Sequence, residues 1–332
     1  MKKKNLLALG LVSALSLSLT ACGGDAPAED EGGEAADDAS YVVGICQMLP
    51  HAALDAATQG FKDKLEEALP GQVTFEGGVG AGDSATCTPI VNQLVSSDVD
   101  LIMANATAAL QVSAAATSDI PILGTSVTEY GVALGLTDFN GTVGTNVSGT
   151  SDLAPLDQQA AMIKEWCPDA ETVGLLYCSG EPNSQYQVDT VAGFLEEAGV
   201  TCTMYPFADS NDIAAVTQTA VSNSDVLYIP TDNTAASNMG LIDNICRGVV
   251  PVFTGEEGMC KGGGVATLSI DYYDLGAATG EMAVKILTGE ADVAEMPVAY
   301  TPMEQVAKKY NPATCEALGL TAPEGYVAIE AE

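Results

Sequence analysis

The feature that most constrains this chain is a strand-then-helix programme that runs once and then restarts. Residues 41–46 (YVVGIC) form a short apolar run, β-branched at its start. Leu54, Ala57, Phe61, Leu65 and Ala68 then recur at a 3.6-residue period, and Pro70 and Gly71 stop that helix. The same reading predicts strands over 73–75, 99–103 and 120–123, with helices over 84–96 and 106–117. The programme restarts with a helix at 154–166, a strand at 173–177 and a helix at 184–198. Strands follow at 201–205, 226–229, 250–253 and 265–270. Alternation at this spacing requires right-handed βαβ units and parallel sheets.

The two passes match in order. Val43-Gly44-Ile45 pairs with Val173-Gly174-Leu175, and Gly60-Phe61 pairs with Gly193-Phe194. Asp100 and Asp225 anchor the third match, and Ile120-Pro121-Ile122 answers Val250-Pro251-Val252. The expectation is an α/β protein of two similar Rossmann-like lobes joined by a hinge. The first lobe is expected from 41–150 with about 272–300, and the second from 151–271 with about 301–332. Neither GxGxxG after a first strand nor GxxxxGK[ST] is present, so no nucleotide cofactor is expected. The glycine-rich stretch 77–82 reads as a loop.

Charge narrows the partners. The 332 residues hold 11 Lys+Arg against 45 Asp+Glu, a net −34 with one His. Eleven bases cannot make a phosphate-tracking surface, so nucleic acid is excluded as a partner. One histidine and no GxSxG argue against a hydrolase, and no Cys/His spacing suggests a metal. Lys2, Lys3 and Lys4 precede 14 apolar or serine residues, too few to span a bilayer, and Leu19-Thr20-Ala21-Cys22 resembles a lipobox. Residues 1–22 are therefore expected to be a lipoprotein signal peptide with Cys22 as the lipidated anchor in the bilayer. Residues 23–40 carry seven acids and no base, which reads as a disordered tether with a span of roughly 23 Å. Eight further cysteines, at 46, 87, 167, 178, 202, 246, 260 and 315, are either disulfides or buried thiols, and spacing alone does not decide.

Ligands of open parallel sheets bind beyond the carboxyl ends of the strands. Two facing lobes therefore place a site between them. Seven residues past the anchoring aspartates stand Thr107 and Asp232, and five past the matched prolines stand Ser126 and Glu256. The first lobe offers neutral groups, Gln47, Asn105, Thr107, Ser126 and Thr128. The second offers Glu181, Asn183, Ser184, Asp232, Glu256 and Asp271. Neutral donors and helix N-termini suit a carboxylate, and carboxylates suit an ammonium. A small α-amino acid satisfies both walls. Asp152, at the passage between lobes, is either a hinge or a ligand residue. His51 opens a helix and either touches ligand or serves that start. Tyr130 either walls the pocket or covers its rim, and Trp166 fits lobe packing better than ligand stacking.

These residues also carry a family likeness. Residues 51–63 (HAALDAATQGFKD), 147–152 (VSGTSD), 180–184 (GEPNS), 230–233 (PTDN) and 270–273 (IDYY), as an ordered set, resemble the bacterial ABC-transporter substrate-binding lipoproteins of the tryptophan/tyrosine type. The resemblance covers about 41–320. It implies a periplasmic-binding-protein type I fold that closes by hinge motion, an aromatic amino acid as ligand, and Asn233 among the site residues. It also implies a monomer anchored outside the cytoplasm that delivers to an ABC permease with its ATPase. Two loops, 105–109 and 127–130, depart from the family pattern. A nucleoside or sugar ligand, or a sensing role, stays open on that ground.

Overall fold

The computed structural model describes residues 40–330. The expected signal sequence, the lipidated Cys22 and the tether as far as residue 39 lie outside the described residues.

The first pass builds β1 (Tyr41–Gln47), α1 (Ala52–Ala68), β2 (Val73–Val79), α2 (Ser84–Ser96), β3 (Leu101–Asn105), α3 (Thr107–Ala116), β4 (Ile122–Val127), α4 (Tyr130–Leu134) and β5 (Val147–Ser151). The second builds α5 (Leu156–Trp166), β6 (Thr172–Cys178), α6 (Pro182–Glu197), β7 (Thr201–Phe207), α7 (Ile213–Asn223), β8 (Val226–Ile229), α8 (Asn233–Ser237) and α9 (Met239–Cys246). It continues through β9 (Val252–Thr254), α10 (Glu257–Lys261) and β10 (Ala266–Ser269). Then come α11 (Tyr272–Leu287), β11 (Ala299–Tyr300), β12 (Ala307–Tyr310), α12 (Pro312–Leu318) and β13 (Val327–Ala328).

One sheet runs β11-β5-β4-β3-β1-β2 and the other β13-β12-β10-β9-β8-β6-β7. The five principal strands follow the same doubly wound order in each, with parallel pairing throughout. Alternate residues feed opposite faces, as a sheet covered on both sides requires. Leu101 and Met103 join Phe61, Leu65 and Met282 on one face, while Ile102 and Ala104 join Val91, Leu94 and Leu110 on the other. In the second sheet Val226 and Tyr228 face α5 and α6, and Leu227 and Ile229 face α7 and α9.

The chain passes between the sheets three times. After β5 it enters the second sheet. After β10 it returns, because α11 packs on α1, β4 and β5 and β11 extends the first sheet beside β5. It then leaves again as β12, the one strand antiparallel to its neighbour β10 among the described residues.

The matched aspartates do the same work in each lobe. Asp100 Oδ2 accepts the Val42 N–H at 2.7 Å, and Asp225 Oδ2 accepts those of Glu171 and Thr172 at 3.1 and 2.9 Å. Each carboxylate ties the start of a central strand to the strand beside it.

Three expectations need correction. Gly77 and Gly78 belong to β2 rather than to a loop. They pair with Ile45 and Cys46, and a Cβ on Gly77 would lie 1.9 Å from the Ile45 carbonyl oxygen. Gly60-Phe61 and Gly193-Phe194 match in sequence but not in packing. Phe61 is 0% exposed and Gly60 abuts the Tyr273 backbone of α11, whereas Phe194 is 41% exposed and nothing lies within 4 Å of a Cβ on Gly193. The run 209–212 (DSND) reads in the sequence as a helix cap rather than a calcium loop, yet Asp212 makes no side-chain cap on α7, and Asp209 Oδ1 accepts Asn211 N at 2.8 Å instead.

Candidate functional site

The strand ends of both sheets converge on a cleft with two compartments. The outer one, about 590 Å³, lies between Met48, Gly82 and Ala108 of the first lobe and Glu181, Asn183 and Asp209 of the second. The inner one, about 10 Å³, lies against the hinge and is lined by His51, Leu54, Asp152, Asp232, Asn233, Glu256 and Tyr272, with Thr231 and Ala236 beside them. His51 Nε2 stands 3.2 Å from Asn233 Oδ1, a polar contact across the cleft.

The second lobe's wall is built from helix starts. A side-chain acceptor at such a start pairs with N–H groups that have no partner within the helix. Asp232 caps α8 through Ala235 N at 2.7 Å, and its other oxygen takes Cys178 N at 2.6 Å. Glu181 reaches the same helix end. Its two oxygens accept Asn233 N, Asn233 Nδ2, Thr234 N and Thr234 Oγ1 at 3.1, 2.8, 2.8 and 2.7 Å. Glu256 caps α10 through Gly258 N at 2.5 Å and Met259 N at 2.6 Å. Ser184 is fully buried beside the Asp232 carboxyl and accepts from Asn183 Nδ2 at 3.4 Å. Asn183 donates to Thr231 O at 3.1 Å, which leaves its buried Oδ1 without a partner.

The first lobe's strand ends differ, and Ala106, Thr107, Ser126 and Thr128 there line neither compartment directly. Ala106 stands at the cap position of α3 with φ of 86° and no side-chain acceptor to give. Thr107 opens that helix. Ser126 has φ of 54°, is 5% exposed and carries an unpartnered hydroxyl. It lies inside β4 where the pairing with β5 slips register. Strained, unpartnered groups of this kind collect at binding sites. Thr128 is buried beside the Asp152 carboxylate. Asp152 Oδ2 accepts the Tyr272 hydroxyl at 2.9 Å, and Oδ1 has no hydrogen-bond partner.

Thr107, Ser126, Thr128 and Ser184 line neither compartment, and three further sequence-predicted residues are bonded away from the cleft. Gln47 is held behind the cleft by Asp55, Thr58 and Leu49 O. Asn105 donates to Leu54 O and Thr58 Oγ1, fastening α1 to the sheet. Asp271 is an exposed cap of α11 over Tyr273 N and Asp274 N. The counterpart positions also shift. The residue equivalent to Asp232 is Ala106, one before Thr107, and that equivalent to Glu256 is Glu129, which caps α4 through Val132 N. β4 is six residues long and β9 three, so equal counting from the prolines misaligns them. Tyr130 is fully buried, donates to Thr150 O at 3.0 Å and stacks on Phe139, so it walls neither compartment. Trp166 packs with Phe253, Tyr310 and Tyr326 inside the second lobe. Tyr272 was missed by sequence reasoning; its signal was its place directly after the strand that returns the chain to the first lobe.

No Lys or Arg lines either compartment among the described residues. Burial, with Glu181 nearby, pushes the Asp232 carboxyl up to about 8. Burial pushes Glu256 up to about 7 and raises Asp152 as well. Burial lowers His51, which keeps its ring neutral near pH 7. Three carboxyl groups with no basic side chain beside them around one small space favour an incoming cation over any anion.

Two Rossmann-like lobes, three crossovers and a cleft at the strand ends define a solute receptor of the periplasmic-binding-protein type I fold. Residues 42–331 match the family model of the ABC transporter substrate binding proteins, and the chain belongs to that family. A tyrosine-binding protein of Clostridioides difficile (strain R20291) is 31% identical over 333 residues, 96% of this chain and 93% of its own length. A Streptococcus pneumoniae ABC domain in complex with L-Trp is 32% identical, with a TM-score of 0.82 over 88% of this chain and all of that one. The ligand-free, open structure of a Clostridium difficile substrate binding protein with adhesive properties is 35% identical. It has a TM-score of 0.67 over 88% of this chain and 100% of that one.

Proposed function

We propose that this substrate-binding protein captures an amino acid with an aromatic side chain in the interlobe cleft and hands it to an ABC permease driven by its ATPase. The observation that carries the reading is the cluster of Asp152, Asp232 and Glu256 around the inner compartment with no basic partner. An α-ammonium supplies the missing charge. The ligand carboxylate is taken by the first lobe, where the uncapped first turn of α3 and the Ser126 hydroxyl hold unused donors. The aromatic side chain is suggested by relatives named for tyrosine and crystallised with L-Trp. The lobes stand together here. The higher overlap with the L-Trp complex than with the open relative, at lower identity, fits a closed arrangement, as does the His51 contact to Asn233.

The protein works as a monomer outside the cytoplasm, held to the membrane by lipid on Cys22. No helix of the described residues is long and apolar enough to cross a membrane, and the anchor rests on the lipobox alone.

Isothermal titration with L-tryptophan and L-tyrosine tests the ligand. Asp232→Ala is expected to weaken binding by about 100-fold and Glu256→Ala by at least tenfold, because each leaves a buried ammonium short of a partner. N-acetylation of the ligand abolishes binding. Unchanged affinity in both variants would overturn the assignment. Retained binding of N-acetyl ligand, or a response to a nucleoside or sugar alone, would move the ligand out of the amino-acid class.

A further inference from the structure

Eight cysteines lie among the described residues, all as free thiols. Two of them meet. Cys46 is the penultimate residue of β1, and Cys87 sits in the first turn of α2, which packs on β1. Both are 0% exposed and belong to one side-chain cluster. Their thiols lie near enough to influence each other's titration. Gly80 approaches Cys87 closely, since a Cβ on it would lie 3.1 Å from that sulfur.

We infer that Cys46 and Cys87 form a disulfide when the chain meets a disulfide oxidant, and that this bond staples the first lobe's wall of the ligand cleft. The residues it would join flank that wall. Met48 and Leu49 follow Cys46, and residues 81–85 precede Cys87; all of them line the outer compartment. The inference concerns the scaffold of the cleft and holds whichever ligand the cleft takes.

The chemistry favours this pair over the others. The neighbouring Cys46 lowers Cys87 and is itself raised, whereas burial raises Cys167, Cys178 and Cys202 to about 11, Cys246 to about 12, and Cys260 and Cys315 as well. A position in a helix's first turn also favours the thiolate. The Cys87 thiolate attacks one sulfur of the oxidant, forming a mixed disulfide and expelling the oxidant's other sulfur as a thiolate. Cys46 passes its proton to that thiolate and attacks the Cys87 sulfur, which closes the protein disulfide and expels the oxidant's second sulfur as a thiolate, protonated by the solvent that took the Cys87 proton. Two protein thiols are oxidised and one oxidant disulfide is reduced to two thiols. Both sulfurs are buried in the fold, so the exchange runs while α2 is undocked from β1, as it is during folding. The bond closes a loop of roughly 40 residues, a size at which a native disulfide adds measurable stability.

The test refolds the full chain in a glutathione/glutathione-disulfide buffer, quenches with acid, alkylates in denaturant without reductant and maps the peptides. Membrane fractionation of producing cells tests export separately, so the two readings fail independently. The expected result is a Cys46 peptide joined to a Cys87 peptide, lighter by two hydrogens than the reduced pair. A rise of several degrees in melting temperature should accompany it and be absent in Cys46→Ser and Cys87→Ser. The wild-type map decides even where a serine variant fails to fold. Recovery of both peptides fully alkylated, or of either joined to a second-lobe cysteine, overturns the pairing. A Cys46–Cys87 bond that leaves the melting temperature unmoved overturns the stapling.

Discussion

The two lobes share a strand order and differ at the ends of their helices. In the second lobe α8 is capped twice, by Asp232 and Glu181, and α10 by Glu256. In the first, α3 begins at Ala106 with no side-chain cap. A helix start is a site of positive partial charge, and a carboxylate placed there cancels it or overshoots. The second lobe presents carboxyls that turn its side of the cleft negative once they ionise, at about pH 7 to 8. The first leaves the donors of α3 open, while Asp83 and Glu129 cap α2 and α4. One scaffold used twice thus acquires walls of opposite preference, set by which cap residues it carries.

Where the comparison ends can be measured at the glycines. Gly60 and Gly193 are sequence counterparts, yet a Cβ on Gly60 falls 2.0 Å from the Tyr273 carbonyl oxygen and one on Gly193 meets nothing. Gly60→Ala is expected to cost about 3 kcal/mol in urea unfolding, because two backbones must separate. Gly193→Ala should gain a few tenths to about 1 kcal/mol from helix propensity. Equal effects would restore the equivalence that packing denies.

The wall charges are next in size. Asp232 and Glu256 sit at about 8 and 7, above the ordinary carboxyl range. Between about pH 4 and pH 8 the ligand-free folded state therefore binds more protons than the unfolded chain, and its stability falls as pH rises through 7 to 8. Cation capture needs the ionised forms, so affinity moves the other way. It should drop about tenfold per pH unit below 7 where one proton competes. Melting temperature and titration measured in the same buffers from pH 5 to 8 should cross. Parallel slopes would mean that the carboxylates do not face the ligand.

The smallest effect sharpens the first lobe's side. Ala106 holds a backbone conformation suited to glycine. Ala106→Gly is expected to stabilise by about 1 kcal/mol in urea unfolding, since relief of strain exceeds the added chain entropy. A loss instead would show that the Ala106 methyl packs for more than its strain costs.

The fold was legible because its signals recur in both lobes. The restart after residue 150, the strand-tying aspartates Asp100 and Asp225 and the Gly44/Gly174 pair each report on contacts inside one lobe. Packing against a distant element left no such trace. Gly60 is tight only because α11 arrives from some 200 residues downstream. The site was legible as a set of strand ends. Asp152, Glu181, Asn183, Asp232, Asn233 and Glu256 do line the cleft. Gln47 and Asn105 were misplaced because an amide at a strand end looks the same whether it faces the opening or the helix behind it, and here α1 supplies Asp55 and Thr58 as partners. The Ser126 and Glu256 pairing failed on strand length, which the repeat alone does not encode.

The interleaved path has a consequence for how the molecule is made. The first sheet needs α11 to cover one face and β11 to shield the edge at β5, and both come after every strand of the second lobe except the last two. The second sheet in turn waits for β12 and β13. A nascent chain ending near residue 270 has nine tenths of its strand-forming sequence and neither half finished, with apolar faces that have yet to meet their covers. Assembly is therefore a late, joint event in which the final 60 or so residues complete both halves nearly together. Contacts of such long range fold slowly and leave the intermediate open to aggregation. Chaperone protection should matter most to this chain in the interval between the emergence of β10 and the docking of α11.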